Sequence, residues 1–443
     1  MTVFIFSTWL VVSPWVAAKS NVQTLSLRSS AEKGDPKAQL EYGKSIKDQS
    51  REEAAKWIQK AADQGSGEAW YLLGYMGLGP KQAEYYYEKA AEKSYPEAFQ
   101  PLLDALIFRA GSAANIEKAK KFADLARKNK ISFGYSSEDS FQVIDRCFEA
   151  GPPKIPVSDL PTSVEKKQFL QSKAECGSYN EGVDQERDLV SFRKCLLSQE
   201  DQDNVSLAEI YANGWGVKRN AMLAIALVCR GSMVPAELEG MVNTLYSTKS
   251  EDRLRTEFTF CDHATSGLSG GFCAAEAEKI EAKKRSKGVT KISEKWSDAQ
   301  KLAFFKLKTA AEDFFDESAS SEQDLSGSGR AQFVINEQAA MKQDFLSSLE
   351  AFEKGQLPSD KDFAGADKEL NRVYALVMKR KYEEGPGAVT KEGIRSTQRK
   401  WVTYRDAWVE FGKSKYPEIS TEAWKAWLTK KRIAKLKEFV ESN

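Results

Sequence analysis

Apolar residues recur at spacings of three, four and seven along most of the chain, and such spacings predict helices that bury one face. Near the C-terminal end, Phe363, Ala366, Leu370, Val373 and Val377 form one stripe. Ile394, Trp401, Tyr404, Trp408 and Phe411 form a second, and Trp424, Leu428, Ile433, Leu436 and Val440 a third. Gly385-Pro386-Gly387 and Tyr416-Pro417 separate them, because proline lacks an amide donor and glycine accepts left-handed geometry. A three-helix module is expected. Upstream, Trp296, Ala299, Leu302, Phe305, Leu307, Ala310 and Phe314 predict one long helix. Phe333, Ile335, Ala339, Met341, Phe345, Leu349 and Phe352 predict its antiparallel partner. The Ser318–Gly329 stretch between the two reads as too polar to bury.

From Ala31 to Asn129 the chain repeats itself. Ala54, Trp57 and Ala61 recur as Ala83, Tyr86 and Ala90, offset by 29 residues, and as Ala119, Phe122 and Ala126, offset by a further 36. Ala31-Glu32-Lys33-Gly34, Ala62-Asp63-Gln64-Gly65 and Ala91-Glu92-Lys93-Ser94 mark turns. A large aromatic entering the gap left by small alanines is how helical hairpins stack into a solenoid. These units resemble the Sel-one-like repeat, a tetratricopeptide relative, and the resemblance implies a helix pair per unit. Gly74 to Pro80 is then a hairpin turn, with no preceding strand and no Lys-Ser/Thr to make it a phosphate loop. A further copy runs from Leu207 to Val217 and on through Ala221 to Cys229. Gly151-Pro152-Pro153 and Pro161 break the helical pattern between the blocks.

The last stretch carries Ala366-Asp367, Leu370-Asn371 and Tyr374, then Gln398, Trp401 and Arg405-Asp406, and finally Leu428-Thr429 with Arg432 and Leu436. This order is similar to the lysozyme inhibitor LprI-like family, with its A-D-x-x-L-N-x-x-Y, A-Q-x-x-W-x-x-x-R-D and L-T-x-x-R patterns. Thr397 stands where the family has alanine. The cysteine that family members commonly place after the Arg-Asp pair is replaced by Trp408-Val409. The resemblance implies a helical fold and an envelope location more firmly than an activity.

A chain of 443 residues with 41% hydrophobic content can fill ordinary cores. Its net charge of +1 supplies no global field for nucleic acid or membrane. Residues 1–18 are uncharged and end in Val16-Ala17-Ala18, which reads as a secretory leader too short for a comfortable membrane span of roughly 20 residues. The protein is therefore expected to be periplasmic or secreted, without an integral span once the leader is removed. Six cysteines follow it: Cys147, Cys176, Cys195, Cys229, Cys261 and Cys273. Six allow fifteen pairings. Cys261 with Cys273, closing a loop that contains Gly267, Gly270 and Gly271, and Cys195 with Cys229 are the expected pairs, which leaves Cys147 for Cys176.

Candidate chemistry is sparse. His263 is the only histidine, no nucleophile is marked beside it, and no Cys-x-x-Cys motif points to zinc. Neighbouring carboxylates such as Glu52-Glu53 and Asp316-Glu317 diverge by about 100° on a helix and do not converge on one bond. No catalytic residue, cofactor or metal is expected. Trp401, Arg405 and Asp406, with Glu383 and Glu384 in the Tyr382–Gly387 loop, form the candidate recognition surface, because tryptophan and arginine dominate binding hot spots. Asp367 or Asp406 pairing with an arginine across the bundle is the architectural alternative. From Asp360 onward 19 basic residues face 13 acidic ones, a net of +6 that would repel a basic lysozyme at long range.

The expected organisation is all-α. It comprises a leader over 1–18, Sel-one-like repeats over 19–130, a helical region over 131–260 with a further repeat around 205–231, a disulfide loop and helical hairpin over 261–358, and an LprI-like helical domain over 359–443. The expected function is that of an exported, non-catalytic binding protein with a protein partner in the envelope, a lysozyme being one candidate. Lysozyme inhibition and an envelope hydrolase are the alternatives.

Overall fold

The computed structural model describes residues 25–441 apart from 78, 109–112, 133–136, 173–174, 182–185, 201–202, 232 and 383. The expected leader and Glu383 thus lie outside the described residues. All regular secondary structure among the described residues is helical, and none of these helices is long and apolar enough to cross a membrane. The chain divides into two units. One is built from the residues up to Cys176 together with Leu189–His263, the other from Gly177–Asp188 and Ala264 onward.

The first unit is a run of hairpins. After α1, over residues 25–32, α2 (Pro36–Ile46) pairs with α3 (Arg51–Asp63), α4 (Gly67–Tyr75) with α5 (Pro80–Glu92), and α6 (Phe99–Phe108) with α7 (Ala113–Lys128). Asp35, Ser50 and Ser66 cap the starts of α2, α3 and α4 by accepting their first amides. Of the repeat alanines Ala54, Ala61, Ala90, Ala119 and Ala126 are buried and Ala83 is partly so; Phe122 is buried beside them, and Trp57 lies half-buried edge-on to Tyr42 at 5.5 Å.

The helix ends explain the repeated turns. At Gly65 the amide donates to Ala62 O (2.8 Å) while Ser66 N donates to Ala61 O (3.2 Å), a left-handed cap that satisfies two terminal carbonyls. Gly34, Ser94 and Lys130 close the same pair of bonds after α1, α5 and α7. Their φ values of 95°, 58° and 54°, beside 99° at Gly65, show that two of the four caps hold a side chain where glycine fits best.

The stack continues through the proline-rich break. α8 (Ser137–Ala150) packs on α7 and also on α12 (Ala221–Val228) and α13 (Pro235–Ser247). α12 is itself the partner of α11 (Asn204–Asn213), the later repeat copy. This packing corrects the cysteine pairing. Cys147 near the end of α8 meets Cys229 at the end of α12, with Cα atoms 5.8 Å apart, and Cys176, which follows α9 (Ser163–Ser172), meets Cys195 on α10 (Leu189–Ser198) at 5.5 Å. The expected Cys195–Cys229 and Cys147–Cys176 links are absent, because α8 lies on α12 and brings Cys147 to Cys229, which leaves Cys195 for Cys176, its neighbour in sequence. Cys261 and Cys273 are disulfide-bonded as well.

In the second unit α14 (Gly267–Ser293) lies along α16 (Arg330–Glu353), α15 (Asp298–Ser321) along α18 (Lys391–Lys415), and α17 (Phe363–Lys379) along α19 (Thr421–Glu441). Glu181 of the short 177–188 segment pairs with Lys283 on α14. One core joins Trp296, Phe304, Phe315, Phe345 and Phe352 to Leu370, Val377, Trp401, Trp408 and Trp424. The expected hairpin and the three C-terminal helices therefore share their interior. At its centre Trp408 and Trp424 stack at 6.0 Å, and a Cβ on Gly412 would come within 2.4 Å of the Trp424 indole nitrogen.

Three expectations change here. Leu302 and Phe305 are 58% and 66% exposed, and the inward face of α15 is Phe304, Leu307, Ala311 and Phe315. Positions 305 and 307 point about 200° apart on a helix and cannot share a face. Gly267, Gly270 and Gly271 are not a loop but the start of α14, capped by Ser266. They admit close approach, since a Cβ on Gly267 would sit 2.2 Å from Ser328 O. Finally, Ser318 and Glu322 are buried despite their polarity.

A half-buried acid in the first unit gives its stability a pH dependence. Burial pushes Glu209 on α11 up to about 7, with Asp203, Asp262 and Glu257 adding to the rise and the Phe260 amide, 2.6 Å away, opposing it. The folded chain thus binds this proton more tightly than the unfolded one. Its stabilising contribution is complete below about pH 4.5 and lost as pH rises through 7. Glu209→Gln is expected to match the parent near pH 4 and exceed it in stability at pH 8, as read from urea unfolding followed by circular dichroism.

Candidate functional site

Arg432 is the charged residue around which the second unit closes. It lies on the inward face of α19, 2% exposed, among Phe314, Trp401, Tyr404 and Leu428. A guanidinium there must find acceptors for its donors or cost several kcal/mol, on the order of the penalty for an unpaired buried ion. It donates to both carboxylate oxygens of Glu322, at 2.7 and 2.5 Å, and through Nε to Gln398 Oε1 at 2.9 Å. Ser318 on α15 donates to the same Glu322 carboxylate at 3.1 Å. The fork geometry matches a carboxylate in a way that a lysine could not reproduce.

The arginine that pairs across the bundle is therefore Arg432, and its acid is Glu322, just past the end of α15. Asp367 instead accepts from Asn371 one turn on (3.1 Å), and Asp406 accepts from its neighbour Arg405 at 2.8 and 2.9 Å. Glu322 sits in a stretch whose composition looks like a solvated connector. Its only sequence signal is position, at the end of an amphipathic helix.

The other expected residues separate into interior and surface. Leu370 is buried, Tyr374 packs on the core, and Thr429 is wholly buried, its hydroxyl without a hydrogen-bond partner. Trp401, expected on the recognition surface, is 2% exposed because α18 turns it toward the core. Arg405 lies over its ring at 5.3 Å and beside Phe363 at 5.7 Å, leaving Asp406 outward. Glu384 is exposed on a loop pinned by the Leu325 amide, which donates to Gly387 O at 2.8 Å. These residues do not converge: Trp401 is interior, Arg405 and Asp406 form a local pair, and Glu384 belongs to the loop after α17.

Three concavities stand out. In the first unit, Tyr71, Tyr75, Tyr87, Pro96, Gln100 and Asp104 line a groove of about 630 Å³ on α4 to α6. Tyr71 lies within 6.5 Å of the rings of Tyr75, Tyr87 and Tyr95, and Tyr75 is 73% exposed. Burial raises the Asp104 carboxyl above its usual range, with Gln100 opposing. A cleft of about 770 Å³ lies beside Arg219, but that guanidinium is committed to Ala212 O at 2.8 Å and Thr248 O at 3.0 Å. In the second unit a cavity of about 290 Å³ opens beside Arg432. His263 packs against Phe258 at 5.4 Å, and burial lowers its pKa. No cluster of three His, Cys, Asp or Glu side chains among the described residues is arranged to hold a metal ion.

Comparison with known proteins matches residues 358–436 to the family described as Lysozyme inhibitor LprI. An uncharacterized protein, R02472, of Rhizobium meliloti (strain 1021) is 34% identical over 98 residues, covering 19% of this chain and 70% of that protein. Among solved structures, the chain is similar to c5321, a protective antigen present in uropathogenic Escherichia coli strains and displaying an SLR fold. Identity there is 18%, coverage 90% of this chain and 96% of the other, and the TM-score 0.26.

Removing Glu322 strands a buried cation. Glu322→Ala is expected to lower unfolding stability of the second unit by about 3–5 kcal/mol, whereas the double change Glu322→Leu with Arg432→Met is expected to recover most of it. Guanidinium denaturation followed by tryptophan fluorescence reads both.

Proposed function

We propose, for a chain that belongs to the lysozyme inhibitor LprI family through its C-terminal domain, the role of a non-catalytic binding protein of the cell envelope. The hairpins of the first unit hold the partner, and the C-terminal domain supplies a second contact. The observation that carries this reading is the tyrosine-lined groove on α4 to α6. Its rings are rigid, large and half in water, and such residues supply contact area at little entropic cost. Gln100 and Asp104 add polar groups at its floor. The disulfides support an oxidising compartment outside the cytoplasm. The protein is periplasmic or secreted, and its partner is a protein of the envelope.

Lysozyme inhibition is the second reading, favoured by the description of the family. An acidic loop reaching a basic enzyme's cleft would have to overcome the net charge of +6 from Asp360 onward. Glu384, exposed after α17, is the acid best placed for it.

The oxidised full chain is expected to retain a protein partner from an envelope extract. Tyr71→Ser with Tyr75→Ser should weaken that capture by on the order of tenfold or more, and Glu384→Ala should not. Peptidoglycan hydrolysis by the purified chain, abolished by a single carboxylate change, would contradict the role. Micromolar full chain at low salt is expected to leave lysozyme turnover unchanged; inhibition that disappears in Glu384→Ala would establish the second reading instead.

A further inference from the structure

The cavity beside Arg432 is a built pocket whose chemistry is independent of macromolecular binding by the first unit. It lies among α15, α16, α18 and α19, with Phe314, Phe315, Met341, Tyr404 and Leu428 as apolar walls. Phe314 stacks on Tyr404 at 5.3 Å and Phe315 meets Tyr404 edge-on at 5.6 Å. The volume of about 290 Å³ is roughly twice that of an apolar cavity that takes up benzene, about 150 Å³. It therefore suits two fused rings.

The charges around the cavity select further. Lys431 pairs with Asp344 at 2.7 Å, Lys435 with Glu337 at 3.0 Å, and Arg432 with Glu322. Every cation lining the space is thus neutralised by its own acid, and an ionised ligand would have to displace one of those partners. A neutral ligand need not. The three cations nonetheless stand at the wall, where an electron-rich ring is attracted through its π face. Asp344 and Glu337 retain acceptor capacity beyond one ammonium each, so a ligand N–H or O–H has a place to donate. The two pairs linking α16 to α19 are partly exposed, with side chains 30% to 65% accessible, and pairs of this kind hold weakly.

We infer that this cavity is a binding site for a neutral, electron-rich bicyclic aromatic bearing one N–H or O–H donor, of the indole or naphthol type. The ligand enters between Lys431–Asp344 and Lys435–Glu337 and lies against Tyr404 and Phe314. Calorimetric titration of the oxidised full chain with indole and with 2-naphthol tests it, together with the shift in thermal midpoint that binding produces. One molecule per chain is expected. Met341→Trp, which fills the space, should weaken binding roughly tenfold or more, as should replacing 2-naphthol by its fully saturated alcohol. Ala340→Phe is a second filling variant should Met341→Trp fail to fold, as judged by circular dichroism. Indole-3-carboxylate should bind more weakly than indole. Absence of binding by both aromatics at millimolar concentration would overturn the inference, as would unchanged binding in a folded filling variant. Equal binding of the saturated alcohol would overturn the aromatic assignment.

Discussion

An arginine cannot be sealed inside a helical bundle without a carboxylate to meet it, and the second unit is arranged around that requirement. Arg432 comes from the last helix, Gln398 from α18, and Glu322 and Ser318 from the end of α15. The acid lies outside the stretch matched to the family, so residues 358–436 are completed by the preceding hairpin. The pair need not be worth much compared with an apolar replacement of the same shape. Its effect is to penalise arrangements that leave one partner alone, which makes the packing of the hairpin on the C-terminal helices specific.

The first unit solves a different problem with repetition. Four helices end in the same left-handed cap, and each cap turns the chain back so that the next helix begins against the last. Small alanines let neighbouring backbones approach, and the aromatic rings that do not fit between them remain half in solvent. Thus the groove residues Tyr71 and Tyr75 are products of the packing rule that builds the stack.

Much of this was legible along the chain. The stripe from Ala366 to Val377 lies on the core as its spacing required, and Ala54, Ala61, Ala90 and Ala119 are wholly buried. Periodicity failed where two apolar residues competed for one face, as with Phe304 and Phe305, because only the neighbour decides which turns inward. Composition failed at Ser318 and Glu322, since a polar side chain is buried when a distant partner satisfies it and no local pattern records that partner. The glycines after Ser266 failed for a related reason: their role is the close passage of the chain entering α16, the Ser328 backbone at Gly267 and the Gln332 and Ala331 side chains at Gly270 and Gly271. Asp367 and Asp406, candidates for a partner across the bundle, are engaged by residues one turn or one position away.

The disulfides in the first unit are nested, with Cys176–Cys195 lying within the 82-residue span closed by Cys147–Cys229. A polypeptide delivered N-terminus first offers Cys176 to Cys147 well before Cys229 emerges. First-come oxidation would lock the neighbouring thiols together and leave α8 tethered away from α12. Maturation therefore depends on keeping Cys147 reduced until α12 has arrived, or on a thiol catalyst that reshuffles an early mispairing.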